Sequence, residues 1–345
     1  MRTFDKLTDS TTYVVSTDLE AIIGAYALLS GKKYTLFEVL YGSSQLDDWE
    51  RRYQFLFETY HAVKELAGAF LLEFLLDFFD ERFDIETFEQ SLLKMSEAER
   101  VWRLMKYFVE TSEVSDALDS DESLSLLYTK VQRYTSSYLG FQSFVRNSDR
   151  YVKEFFSLAR KLKTPVLEKL LEEQGDRLES FQKTLRAELN KKDPLILSQE
   201  WMGKTFRNKG PYKRYYFIPS WFLPAKYLRL FDDDRTINGK QFLFCHLGEK
   251  KRSQKQLVYS LKAFSDDTRY TILTTLAEFG PLKGQEMAKR LNLTPSTVSH
   301  HMAGLVESGL VIEEPVKTAK FYSLSKQAIN HLLETISEDL KLNTK

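Results

Sequence analysis

The sequence predicts a mainly α chain of two domains: a helical N-terminal domain with a small β-rich segment, then a C-terminal α+β domain. Three observations carry this reading. Apolar residues recur at helical spacing from Asp18 to about Leu189. Between 201 and 247 the texture changes to short β-branched and aromatic runs flanked by turn residues. From Ser265 onward, capped helices are followed by two short strands and a last helix. A chain of 345 residues accommodates two domains, and with 43% hydrophobic residues it builds its cores without disulfides or metals. The boundaries fall at 1–250 and 251–345.

Within the first domain, Leu19, Ile22, Ile23, Tyr26 and Leu29 follow the i, i+3, i+4, i+7 spacing of one buried helical face. A longer helical stretch is expected from Asp47 to Phe79, with Tyr53, Leu56, Tyr60, Val63, Ala67, Phe70, Leu71 and Phe74 on its apolar side. Phe74, Leu75, Phe78 and Phe79 crowd its end, which therefore reads as buried all round. Asp84 caps a helix from Ile85 to Met95, and Ser96-Glu97-Ala98-Glu99 forms a capping box before Val101, Leu104, Met105 and Phe108. Further helices are expected near Glu122–Tyr138, Val145–Lys161 and Pro165–Glu188. Tyr215–Pro219 and Gln241–Cys245 read as strands of a β-rich subdomain closing off the helical body, and Gly248–Lys251 as a hinge.

In the second domain, Ser265 serves as N-cap before Asp266, Asp267, Thr268 and Arg269, where acids in the first turn suit the helix dipole. This helix buries Ile272, Leu273 and Leu276 and stops at Gly280-Pro281. Lys283–Leu291 forms the next helix, with Met287, Ala288 and Leu291 inward, and Asn292-Leu293 the tight turn. Thr294 caps the helix after it, Pro295 takes the first helical position, where its missing N–H is harmless, and Gly309 is the stop. Leu310–Glu313 and Lys320–Leu324 are strands around Pro315–Thr318, and a final helix from Lys326 carries Ile329, Leu332, Leu333 and Ile336. Two helices across a tight turn, followed by a strand pair, make a winged helix-turn-helix.

A helical wheel decides what the second helix of that motif presents. At about 100° per residue, Val298, Met302 and Leu305 point one way, with Val306 beside them. Opposite lie Ser296, His300, Ala303 and Glu307, flanked by Thr297 and Ser299. Short hydroxyls and an imidazole on one exposed face suit base edges and phosphates of double-stranded DNA. His301 points toward the core flank as a packing histidine. Glu307 repels phosphate and belongs beyond the groove. On the wing, Lys317 and Lys320 reach for backbone phosphates.

Leu261–Arg269, Ser296–His301, Gly309-Leu310-Val311 and Phe321–Leu324 together resemble the ArsR/SmtB family of bacterial transcriptional regulators. The resemblance spans roughly residues 255–337; where the family has Pro, this chain has Asp267. It implies a cytoplasmic homodimer paired through the helices before and after the reader, with Leu257, Leu261, Phe264, Ile329, Leu332 and Leu333 at the interface. It also implies DNA contact by Ser296, Ser299 and His300, in agreement with the wheel, and repression by promoter occupancy. The long front domain lies outside the resemblance. It is assigned either to an unidentified small-molecule effector or to locking the dimer geometry.

Charge and composition bound the remaining classes. Residues 1–200 hold 26 Lys/Arg against 35 Asp/Glu, 201–260 hold 13 against 4, and 261–345 hold 10 against 10. The basic excess around Lys250-Lys251-Arg252 and Lys255 attracts phosphate or forms a solvated linker. The single Cys245 excludes an internal disulfide framework and fits a reducing cytoplasm. Nothing behind Met1–Lys6 resembles a signal peptide, and the greasiest segment, Leu66–Phe79, is too short for a bilayer and carries Glu73 and Asp77.

Metal sensing is not expected, nor is a cofactor. There is no Cys near Lys283–Glu286, Lys326 and Ala328 stand where the family's second metal site begins, and the His331/Glu334 pair comes too early. Cys245 and His246 are adjacent on a strand and point to opposite faces. Catalysis is not expected either. Ser198 stands where a phosphate loop ending at Gly203-Lys204-Thr205 requires glycine, and no metalloprotease, dinucleotide or nucleophile-elbow motif occurs. The aromatic residues of the front domain line an apolar pocket or, more simply, fill a core. One rival remains: a winged helix used only for dimerisation or docking, with the front domain as the ligand-binding or catalytic part.

Overall fold

The computed structural model describes residues 2–31, 35–67, 70–105, 109–206, 210–232, 239–247, 254–316, 319–340 and 342. It divides into two compact units, Met1–Gly248 and Glu249–Lys345. The expected hinge at Gly248–Lys251 and the basic run Lys250–Arg252 lie outside the described residues, as does Phe108.

The first unit is organised by a sheet that draws on both of its ends. Strands β1 (Arg2–Lys6) and β2 (Thr11–Ser16) form an antiparallel hairpin. β2 then pairs in parallel with β3 (Arg214–Ser220), through Thr11↔Tyr215 to Tyr13↔Phe217. With β4 (Tyr227–Phe231) and β5 (Lys240–His246) the strand order is β1-β2-β3-β5-β4. β3 and β5 are parallel, and β4 runs antiparallel on the far edge. The strands of 201–247 therefore do not form a subdomain of their own. They need the N-terminal hairpin to complete the sheet.

Strand alternation sends the sheet's side chains to two cores. Val14, Tyr216, Ile218, Phe242 and Phe244 join the large helical core. Tyr13, Val15, Tyr215, Phe217, Leu243 and Cys245 face a second core built with Leu171, Leu178, Leu185 and Leu197. Those leucines come from helices Pro165–Glu173, Gly175–Leu189 and Pro194–Met202. Both faces are covered, as parallel sheets require.

Helix Thr17–Leu29 lies at the centre of the large core. It buries Ala21, Gly24, Ala25 and Ala27 as well as the expected Leu19, Ile22, Ile23 and Leu29, so it is enclosed rather than one-sided. Ser16 caps it, accepting from the Leu19 N–H. At Gly24 a Cβ would stand 2.8 Å from Phe222 Cδ2 and 3.0 Å from Leu162 Cδ1, so the approach of those side chains depends on the missing side chain. One turn earlier, Glu20 is fully buried, and its Oε1 accepts from the backbone N–H groups of Trp221 and Phe222, each at 2.8 Å. The carboxylate thus pins the central helix to the chain leaving β3.

The other helices follow the sequence reading in part. Asp84 caps Ile85–Lys94 through the Thr87 N–H at 2.7 Å, and Ser96 caps Glu97–Leu104. The stretch expected as one helix from Asp47 to Phe79 is instead Ser43–Arg52, Gln54–Ala67, Phe70–Glu73 and Leu75–Phe78. At Tyr53 the backbone leaves the helical region (φ −106°, ψ 28°), and the ring is buried with its hydroxyl 2.9 Å from Ser157 Oγ. Glu122–Tyr138 becomes Asp121–Val131, a short 3₁₀ turn at Gln132–Tyr134, and the start of Tyr138–Arg146. Pro165–Glu188 splits at Gln174. Thr111–Asp119 is a further helix that periodicity did not indicate.

The aromatic residues of this unit fill its core. The space among Tyr26, Tyr60, Tyr151 and Phe155 is about 10 Å³, at the threshold for a single water and too small for an organic ligand. Arg100 is fully buried in the same body, donating to the carbonyls of Leu92 and Met95, to Ser148 Oγ and to the Asp149 carboxylate. Among the described residues no helix is long and apolar enough to cross a membrane.

Burial raises the Glu20 carboxyl pKa to about 7, against lowering by hydrogen bonds from Phe222, Ser220 and Trp221. Because the folded pKa lies above the unfolded value, this group's contribution is complete at low pH and is lost as pH rises toward about 7. Glu20→Gln keeps the accepting oxygen and removes the charge. It is expected to be more stable than the parent by about 3 kcal/mol above neutrality, the difference vanishing below about pH 4.5. Urea midpoints of both proteins across pH check this, and a pH-independent difference would refute it.

Candidate nucleic-acid interface

The second unit is built from local signals. Its helices are Gln254–Phe264, Asp267–Phe279, Gly284–Leu291, Pro295–Glu307 and Lys326–Asp339. A three-stranded sheet of order β6-β8-β7 joins β6 (Leu282–Lys283), β7 (Val311–Val316) and β8 (Ala319–Leu324). The short β6 was not anticipated; it pairs Leu282↔Tyr322 and Lys283↔Phe321, closing the wing onto the motif's first helix. The core holds Ile272, Leu276, Met287, Val298, Met302, Leu305, Leu310 and Tyr322.

One cap differs from expectation. The N-cap of the Asp267–Phe279 helix is Asp266, whose carboxylate accepts from the Arg269 N–H at 2.8 Å. Ser265 instead donates to the Lys262 carbonyl at the end of the preceding helix. Both residue types cap well, and the helix begins one residue later because Ser265 still closes the turn before it.

The reading helix starts as the sequence requires. Thr294 caps it, accepting from the Thr297 N–H, and Pro295 takes the first position. Thr294 Oγ1 lies 2.9 Å from Ser296 Oγ and 2.8 Å from Thr297 Oγ1. Three hydroxyls therefore gather at the positive end of the helix dipole, which favours an anion such as a phosphate. Thr294 was identified only as a cap; its part in this cluster follows from the spacing of Thr294, Ser296 and Thr297.

Val298, Met302 and Leu305 are buried, while Ser296, Ser299, His300, Ala303 and Glu307 are exposed and Thr297 is half-buried. His301 is half-buried on the core flank, its Nδ1 3.4 Å from Asp266 Oδ1. Gly309 ends the segment at φ 76°. Glu307 is not a loose anion: its Oε2 accepts from the Tyr259 hydroxyl at 2.7 Å. Beside it Ser260 Oγ donates to the Ser308 carbonyl, so helix Gln254–Phe264 is bonded to the end of the reading helix.

Wing and flanks are only partly available. Lys320 Nζ is 2.7 Å from Glu313 Oε1, and each holds the other in its charged form. This solvent-screened surface pair must open before Lys320 meets a phosphate, at little cost. Lys317 lies outside the described residues. Of the six expected interface residues, Leu261 is 39% and Leu333 59% exposed. Leu257, Phe264 and Ile329 are partly covered by the unit's own core, and Leu332, 1% exposed, is part of that core. Cys245 belongs to the first unit and is buried, its thiol pKa pushed well up by desolvation. Among the described residues no three His, Cys, Asp or Glu side chains are arranged to hold a metal.

The sequence profile described as bacterial regulatory protein, arsR family, matches residues 266–313. The chain is 31% identical over 91 residues to the transcriptional activator HlyU of Vibrio cholerae serotype O1, a stretch covering 26% of this chain and 83% of that protein. It is likewise 31% identical over 77 residues to an uncharacterised HTH-type transcriptional regulator of Methanocaldococcus jannaschii, covering 22% of this chain and 86% of that one. Among solved structures, HlyU from Vibrio cholerae N16961 shares 30% identity over 26% of this chain and 95% of its own, with a TM-score of 0.22. An ArsR family transcriptional regulator shares 22% identity over 26% and 93%, with a TM-score of 0.24. These matches cover the C-terminal region.

Asp266→Ala removes a cap and is expected to destabilise the full-length protein by about 1 kcal/mol. Ser265→Ala should change stability by less than about 0.5 kcal/mol. Thermal unfolding of the two variants checks the assignment; the reverse order would return the cap to Ser265.

Proposed function

Because the chain belongs, through its C-terminal unit, to the arsR family of bacterial regulatory proteins, we propose that it is a sequence-specific DNA-binding transcriptional regulator. The observation that carries this is the split helix Pro295–Glu307. Its apolar side is consumed by the core, while Ser296, Ser299 and His300 stand exposed behind a hydroxyl-rich N-terminus. Such a helix lies in a major groove with its first turns at the base edges and phosphates.

The protein acts as a homodimer on a pseudo-palindromic operator, with half-sites about one helical turn apart. The exposed Leu261 and Leu333 supply the apolar contact between copies, with Leu257, Phe264 and Ile329 beside them and Leu332 supporting from the core. Occupying a promoter makes it a repressor, and the N-terminal unit supplies effector control. A reporter on the controlled promoter tests the sign: it should rise when the gene is deleted. A fall would make the protein an activator, the term by which the Vibrio relative is named.

A rival reading, in which the winged helix only docks or dimerises, draws on the balanced charge of residues 261–345, 10 basic against 10 acidic. Affinity for random duplex across salt separates the two. A DNA reader loses affinity steeply as salt rises, whereas a docking module shows almost no slope. Selection of bound duplexes from a random pool should recover a palindrome, and an unenriched pool would end the regulator reading.

Against the selected operator, His300→Ala is expected to weaken binding by about 1–3 kcal/mol and to relax one base position. Lys317→Ala or Lys320→Ala should weaken all sequences alike and lower the salt slope by about one unit. Leu261→Glu combined with Leu333→Glu should give a monomer by sedimentation. Its operator affinity should fall about 10²–10⁴-fold through lost bivalency. Parent-like binding by all of these variants would overturn the assignment.

A further inference from the structure

The reading helix Pro295–Glu307 carries no lysine or arginine. What it can offer a base edge is therefore the short or neutral side chains of its solvent face. Ser296, Ser299, His300, Ala303 and Glu307 are exposed, and the buried Val298, Met302 and Leu305 fix which way that face turns. At about 100° per residue, Ser296, His300, Ala303 and Glu307 fall within about 60° of one another, with Ser299 to one side.

These groups differ in how sharply they can tell bases apart. A hydroxyl donates or accepts, and a neutral imidazole does both, so Ser296, Ser299 and His300 bond to several base edges alike. Glu307 only accepts, but its Oε2 is engaged by the Tyr259 hydroxyl at 2.7 Å, and it stands at the last position of the helix. Ala303 is different. Its side chain is a single methyl in the middle of the face, one turn after Ser299 and His300 and one turn before Glu307. In the major groove one base presents a methyl of its own, the C5 methyl of thymine. The other groups displayed there form hydrogen bonds, and a donor or acceptor pressed against Ala303 would lose water without a bond in return.

We propose that Ala303 selects a thymine in the operator half-site by packing its methyl on the C5 methyl of that base. This role rests on the DNA-reading proposal and adds to it the base that the helix chooses. His300 and Ala303 are three residues apart on one face, with about 5–6 Å between their Cβ atoms, while one base-pair step rises about 3.4 Å. The thymine therefore lies at the base pair met by His300 or at the pair next to it.

The test uses the full-length protein and an operator selected from a random duplex pool. Replacing each thymine of one half-site in turn by deoxyuridine, on either strand, removes the methyl and leaves the pairing intact. One replacement should weaken binding about fourfold, the loss expected when one methyl group is no longer buried. That position should coincide with, or adjoin, the one relaxed by His300→Ala. Ala303→Gly should bind the thymine and deoxyuridine operators alike. The comparison is a ratio within one variant, so neither a weakened helix nor an altered duplex shape enters it. The assignment of Ala303 is overturned, and the DNA-reading proposal stands, if the selected half-site holds no thymine or if no deoxyuridine replacement matters. The same follows if Ala303→Gly keeps the parent's ratio. An unenriched pool removes both.

Discussion

The sheet of the first unit must bury both faces, and that requirement governs where almost everything around it goes. Alternate residues of β3 and β5 enter separate cores, so neither set of helices suffices alone. The fastening lies where Glu20 of the enclosed helix receives the Trp221 and Phe222 amides. Without that carboxylate, two donors leaving β3 would be buried without a partner, at about 1–3 kcal/mol each. Gly24 lets Phe222 approach the same helix, and Phe222 in turn stacks on Phe37 at 4.4 Å. Polar pinning and close packing act on consecutive turns of one helix.

The second unit depends on a different economy, in which one short helix divides its sides between core and solvent. Its geometry is held from both ends. Thr294 fixes the start, and Tyr259 with Ser260 grips the finish at Glu307 and Ser308. Helix Gln254–Phe264 therefore fixes the end of the reading helix.

What could be read from the sequence follows from distance along it. The bounds and the buried side of the reading helix were legible because its cap, its proline and its wheel are local to Thr294–Glu307. The one-residue displacement of a cap from Ser265 to Asp266 reflects two neighbouring side chains that are equally able to accept. In the first unit, the enclosed helix, Asp84 and Ser96 were visible for the same reason. The parallel pairing of β2 with β3 was not, since its partners are some 200 residues apart, although Thr11–Val15 is itself a β-branched run of strand type. Glu20 looks like an ordinary first-turn acid until the chain near 221 arrives beside it. The break at Tyr53 was hidden because Trp49, Tyr53, Leu56 and Tyr60 keep helical spacing across it, leaving periodicity nothing to register.

That separation has a consequence during synthesis. At about 5–20 residues per second, the ribosome delivers β3 on the order of 10–40 s after the hairpin it must join. Throughout that interval the outer edge of β2 offers unsatisfied amides and carbonyls to any neighbouring strand, including those of other nascent chains. The DNA-reading unit emerges only afterwards. A polypeptide released before β5 would carry an open edge and no second unit, making it an aggregation hazard.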